Sequence, residues 1–178
     1  MCGVFGVRAP GRDVARLTYF GLYALQHRGQ ESAGIAVSEN GRLTALRDLG
    51  LVPQVFDERN LSGLRGELAI GHTRYSTTGA NAWANAQPLL YHGRARTVAL
   101  GHNGNLVNSA ELRAASSKRL ASTTDSELIA ALIGDDERPL GEADDARGAL
   151  HLLHRIDDRL FQRTLVVGDQ RGDHLGVG

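Results

Sequence analysis

The stretch SAGIAVSENGRLTALRD, residues 32–48, constrains the fold more than any other part of this chain. Two runs that suit a pleated surface flank Glu39-Asn40-Gly41, and Asn-Gly between such runs is the strongest short-range signal for a tight hairpin. A hairpin this early commits the chain to antiparallel pairing. CGVFGV at 2–7 reads as a short buried strand, and ELAIGHTRYS and TVALGHNGN read as two more, each ending in polar, glycine-containing text. Between these last two, NAWANAQPLL carries the only tryptophan, Trp83, and reads as irregular.

Helices are expected around and after these strands. Asp13 is placed to cap a helix over VARLTYFGLYALQ, with Val14, Leu17, Gly21 and Leu25 recurring on one face. HRGQES follows as a loop. Asn108-Ser-Ala-Glu111 opens a second helix, and Thr124-Asp-Ser-Glu127 opens a third in the form of a capping box before LIAALI. GDDERPLGEADDARG is acidic and turn-rich, ALHLLHRI reads as helical and TLVVGD as a strand. Strands early and helices late predict an α+β fold with a mainly antiparallel sheet.

The chain has 178 residues, of which 42% are hydrophobic, enough for one domain with its own core. Lys+Arg 20 balances Asp+Glu 20, so charge gives no argument for a nucleic-acid or anionic-membrane partner. No apolar run is long enough to span a bilayer, and the first residues lack the pattern of a signal peptide. A single cysteine cannot close an internal disulfide, which fits a reducing compartment; a soluble, cytoplasmic protein is expected.

That cysteine is Cys2, directly behind Met1. Removal of Met1 would leave a thiol and a free α-amine on one residue. Such an amine titrates at about 7.7–8.0, so it can take the thiol proton near neutral pH and hand it to a leaving group. The plainer alternative is a small buried residue beside a strand. GHNGN offers the donors that an attacked carbonyl needs, the side-chain amide of Asn103 and the N–H of Gly104, or else it is only a turn. Arg74 presents a planar fork suited to a carboxylate, or else it is a surface or ion-paired arginine. Asp125 can hold an ammonium group, or simply start a helix, where acids are favoured. Together these groups describe a site for an amino acid with a side-chain carbonyl. His72 and His102 read as hydrogen-bonded packing residues rather than bases. His151 and His154 have i, i+3 spacing and could share a metal, but no further ligand supports them and an exposed helix face is the better reading; no metal is expected.

CGVFG at 2–6, LQHRGQESAGIA at 25–36, GHTRYSTTG at 71–79, NAQPL at 85–89, GHNGNLVN at 101–108 and TDSE at 124–127 follow one another in an order that resembles the N-terminal-nucleophile (type 2) glutamine amidotransferases. The text is more similar to the amidophosphoribosyltransferase branch than to the glucosamine-phosphate synthase branch. The resemblance implies a four-layer αββα sandwich and hydrolysis of glutamine to glutamate and ammonia through a thioester on Cys2. It implies an oxyanion hole from Asn103 and Gly104, and Arg74 on the α-carboxylate with Thr77 lining the pocket. It also implies Asp125 on the α-ammonium, and Arg28 and Gly29 in the loop bordering glutamine. No cofactor is implied for this step. The implied ammonia acceptor is a phosphoribosyltransferase domain or subunit, in the first step of purine synthesis.

The family text covers residues 2–147 as a glutaminase domain. Residues 148–178 diverge from it, which leaves the expected sandwich incomplete at its C-terminal end, and the phosphoribosyltransferase domain has no counterpart in this sequence. The alternative to a working glutaminase is therefore an inactive remnant or a partner-binding protein. LVVGDQRGD has only a faint likeness to a pyrophosphate-binding loop. Full transferase activity is not expected from this chain alone.

Overall fold

A computed structural model of the chain describes residues 2–75, 82–106, 108–115, 120–122, 124–135 and, for its backbone, 164–167. The helical face at 149–156, His151 and His154, and Thr77 lie outside the described residues.

Four strands make the first sheet: β1 (Gly3–Arg8), β2 (Ser32–Glu39), β3 (Arg42–Leu49) and β4 (Leu68–Arg74), in the order β1-β4-β2-β3. All three pairings are antiparallel. The expected hairpin is present: Glu39 pairs with Arg42, and Asn40 and Gly41 take φ of 50° and 75°. Positive φ at both central residues matches the twist of the flanking strands, which is why Asn-Gly is favoured there. A second antiparallel sheet has the order β5 (Leu89–His92), β6 (Thr97–His102) and β7 (Thr164–Val167). The segment beyond 148 thus supplies a strand, at the place where TLVVGD suggested one. β5 lies in text that reads as irregular, because Pro88 and the short helical turn Trp83–Asn85 immediately before it hide a four-residue strand.

The period-two alternation of side chains sorts the core into three apolar seams. Ala33, Ile35 and Val37 of β2 and Ala69 of β4 face α1 (Val14–Leu25), α2 (Val52–Val55) and α3 (Glu58–Ser62). Between the sheets, Ala36, Leu68 and Ile70 meet Ala99, with Val4 and Leu90 packed against them. Beyond the second sheet, Val98 and Leu100 meet Leu128, Ile129 and Ile133 of α5 (Asp125–Asp135), with Leu112 of α4 (Ser109–Ala115) alongside. The layers run helix, sheet, sheet, helix. β4 is buried at every residue because both of its faces are covered.

Asp13 caps α1 by accepting the Arg16 N–H at 2.9 Å. The buried face of α1 is rotated from the one the spacing suggests. Val14, Ala15, Thr18 and Leu22 are inside and Leu17 is 37% exposed. Thr18 can be buried because its hydroxyl donates to the Val14 carbonyl at 2.7 Å, and Gly21 lies against the ring of Phe5, where an added Cβ would come within 2.5 Å. The start of α5 also differs from a capping box. Glu127 reaches past Thr124 and accepts from the amides of Ala121 and Ser122, at 2.9 and 2.5 Å. Helices α2 and α3 carry no long apolar period and were not expected. Their signals are Pro53 in the first turn of α2 and the pair Asp57 and Asn60, which satisfy each other's amides across the start of α3.

Candidate active site

The site sits where two inner strands end, β4 of the first sheet and β6 of the second. In the β1–β4 pairing Gly3 is opposite Thr73, so one step further out Cys2 lies beside Arg74. The Cys2 thiol donates to the carbonyl of Tyr75, the residue after Arg74, at 3.6 Å. The Cys2 carbonyl accepts from Arg28 Nε at 3.2 Å and from Asn103 Nδ2 at 3.3 Å. Cys2, Arg28, Asn103 and the end of β4 therefore converge, although Cys2 and Asn103 lie 101 residues apart in sequence. Gly104 follows Asn103 on the exposed side of the turn.

The loop carrying Arg28 and Gly29 lies directly on β4. A Cβ at Gly29 would come within 2.7 Å of the backbone of Thr73 and Arg74, so only glycine permits this approach. Two residues on, the Glu31 N–H donates to the Arg74 carbonyl at 3.1 Å, and the Glu31 carboxylate meets Arg74 Nη1 at 3.4 Å. The guanidinium is almost fully buried, with 6% of its side chain exposed, and so it already faces a resident carboxylate. Glu31 gave no signal in the sequence beyond its place in the loop, because its partner is 43 residues away.

Asp125 opens α5 and turns toward the end of β6. Its carboxylate accepts the Leu106 N–H at 2.7 Å and stands 3.7 Å from His102 Nδ1. Burial alone would raise its pKa, but the hydrogen bond and charge of His102 and the Leu106 amide outweigh burial and hold it below the usual carboxylate range. The group is an anion at neutral pH, as an ammonium receptor must be. Ser126 Oγ lies 3.4 Å from the same His102 nitrogen. Gln87 joins this cluster by accepting the His102 N–H at 2.7 Å and donating to Ser126 Oγ at 3.0 Å. Neither Gln87 nor Ser126 was singled out as a site residue. Each is a common polar residue with distant partners, and only the text match at NAQPL and TDSE marked the segments.

His72 is fully buried and its Nε2 meets the His102 carbonyl at 3.2 Å. Burial pushes its pKa down to about 3. It is a neutral packing residue that donates one hydrogen bond, as its position within a strand suggested. Among the described residues no group of His, Cys, Asp and Glu is arranged to hold a metal ion, and no helix is long and apolar enough to cross a membrane.

Comparison with known proteins gives a consistent result. A model of the class-II glutamine amidotransferases matches residues 58–162. The amidophosphoribosyltransferase of Synechococcus elongatus is 55% identical over 167 residues, covering 92% of this chain and 33% of the relative. A solved structure described as the allosteric regulatory enzyme of purine biosynthesis superposes with a TM-score of 0.73 at 38% identity, covering 85% of this chain and 33% of that one. The glutamine phosphoribosylpyrophosphate amidotransferase of B. subtilis, solved with ADP and GMP, superposes with a TM-score of 0.70 at 32% identity, covering 94% and 34%. The chain thus spans about a third of the length of these relatives.

Proposed function

Because this chain belongs to the class-II glutamine amidotransferases, with their N-terminal-nucleophile fold, we propose that it hydrolyses glutamine to glutamate and ammonia through a thioester on Cys2. The observation that carries this is the convergence of the Cys2 carbonyl, Asn103 Nδ2 and the end of β4.

The chemistry follows from that placement. With Met1 removed, the Cys2 amine takes the thiol proton and the sulfur attacks the side-chain amide carbon of glutamine. Negative charge builds on the amide oxygen, and in this reading Asn103 Nδ2 and the Gly104 N–H receive it. The tetrahedral adduct collapses, the C–N bond breaks, and the ammonium of Cys2 returns a proton to the departing ammonia. Water then cleaves the thioester by the same route in reverse order and leaves glutamate. Arg74 holds the α-carboxylate, which takes the place of Glu31 on the guanidinium, and Asp125 holds the α-ammonium. Arg28 and Gly29 border the substrate and Thr77 lines the pocket. The step needs no cofactor.

The names of the relatives extend the proposal. Residues 2–147 carry the glutaminase domain's site text, and the segment after 147, which the family model follows to residue 162, leads into β7 of the second sheet. The ammonia serves a phosphoribosyltransferase domain or subunit in purine biosynthesis, in the cytoplasm.

Cys2→Ala is the direct test. In a glutamate-release assay it is expected to lower kcat by about a thousandfold or more; activity equal to wild type would refute the nucleophile. Intact-mass measurement on the same samples should place activity only in chains that have lost Met1. Glutamine should also raise the melting temperature of Cys2→Ala, since the variant keeps Arg74 and Asp125. An unmoved melting temperature would favour an inactive remnant.

A further inference from the structure

We propose that Gln87 and Ser126 form a brace that sets the spacing between the two ends of the glutamine site, with Gln87 and Ser126 acting as positioning residues and not as contacts to substrate. This rests on the glutaminase reading above. The oxyanion donors follow β6, and the ammonium receptor Asp125 starts α5. These are separate elements, and nothing in the covalent chain holds one at a set distance from the other.

The Leu106 N–H reaches the Asp125 carboxylate directly at 2.7 Å, and Gln87 adds a second link that grips the backbone of β6 itself. Gln87 is 5% exposed, and a primary amide offers one acceptor and two donors in one plane. Its oxygen takes the N–H of His102, the residue immediately before Asn103, at 2.7 Å. Its nitrogen reaches Ser126, the neighbour of Asp125, at 3.0 Å. The Ser126 hydroxyl, having accepted from Gln87, also lies 3.4 Å from His102 Nδ1. The same imidazole nitrogen stands 3.7 Å from Asp125. One side chain therefore touches β6 just before the oxyanion turn and α5 just after the ammonium receptor.

The brace has its own footing. A Cβ at Gly34 of β2 would fall 2.2 Å from the Gln87 carbonyl, so glycine there lets residue 87 lie flat on the first sheet. The Arg47 guanidinium holds the Ala86 carbonyl from the other side and stacks on Trp83, 4.7 Å from its ring centre. Gln87 is anchored to the first sheet while it spans two elements of the second half.

A double-mutant cycle on glutamine turnover separates positioning from general damage. Ser126→Ala should raise KM for glutamine about tenfold while kcat stays within about twofold, because the ammonium receptor has shifted and the nucleophile has not. Added to Asp125→Asn, it should cost less than about twofold in kcat/KM, since the receptor it positions is already impaired. Equal losses in both backgrounds would overturn the proposal. Gln87→Met gives a readout that needs no turnover. Hydrogen exchange at the His102 amide should quicken by about tenfold or more, while Val98 and Leu100 keep their protection. Unchanged exchange at His102 would also overturn it. A wild type that releases no glutamate, yet whose His102 amide is loosened by Gln87→Met, would refute the glutaminase reading and leave the brace standing.

Discussion

An inner strand of each sheet carries the same dipeptide, Gly71-His72 within β4 and Gly101-His102 at the end of β6, and the two copies meet different surroundings. Gly71 is pressed by α1, and a Cβ there would lie 2.5 Å from Thr18 Cγ2 and 2.8 Å from Leu22 Cδ1. Gly101 faces the seam between the sheets, where among the described residues the nearest atoms to a Cβ are Val4 and Ile70 side chains at 3.9 and 4.0 Å. His72 is fully buried, and its Nδ1 has no hydrogen-bond partner among the described residues. His102 has an acid, a hydroxyl and an amide around it. Identical letters do different work because each strand's neighbours, not its own text, decide what the side chain meets.

Three experiments would break or sharpen that contrast. The largest effect is expected at the glycines. Gly71→Ala must push Thr18 or Leu22 aside and should cost about 2–3 kcal/mol in urea unfolding, whereas Gly101→Ala enters ordinary van der Waals space and should stay within about 0.5 kcal/mol. Equal costs would show that the two positions are alike after all. The histidine contrast comes next. His72 has a folded pKa of about 3, depressed from an ordinary 6.5, so the unfolded chain binds the proton first as pH falls. Its contribution is fully present above about 6.5 and is lost progressively toward 3. Between pH 7 and pH 5 the fold should lose about 2 kcal/mol on this account. His72→Gln, which keeps a donor for the His102 carbonyl, should flatten that slope. An unchanged slope would move the acid sensitivity elsewhere. Asp125 adds to acid loss in the same direction, but only below about 3.8, because its folded pKa is depressed from there.

The smallest effect concerns the helices that cover each half. α1 is capped by Asp13 on its own Arg16 amide, while Asp125 at the head of α5 spends an oxygen on the Leu106 amide outside the helix. Asp13→Ala should therefore cost about 1 kcal/mol of stability and leave glutamine turnover unchanged. A change in turnover would mean that the first helix is coupled to the site.

What was legible in the sequence was local. The Asn40-Gly41 turn, the Asp13 cap and the strands ending in GHTR and GHNG depend on residues within a few positions of one another. The chemistry proposed for Cys2 is equally local, since it would need only that residue's own amine. The missed features depend on distant partners. Gln87 finds His102 and Ser126 at 15 and 39 residues' separation, and Glu31 finds Arg74 at 43. The rotated face of α1 was missed for a related reason, since Thr18 looks polar until its hydroxyl is seen to bond to Val14 within the helix. Thr77, expected to line the pocket, lies outside the described residues.

β4 runs between β1 and β2 with both faces covered. Its amides should then be among the last to trade protons with heavy water, opening only when the whole domain opens. Arg74 ends that strand, so its backbone is moored to an element expected to exchange slowly. On the proposed reading, an incoming carboxylate would meet a cation carried on a well-held backbone, and the side chain that would have to yield is Glu31.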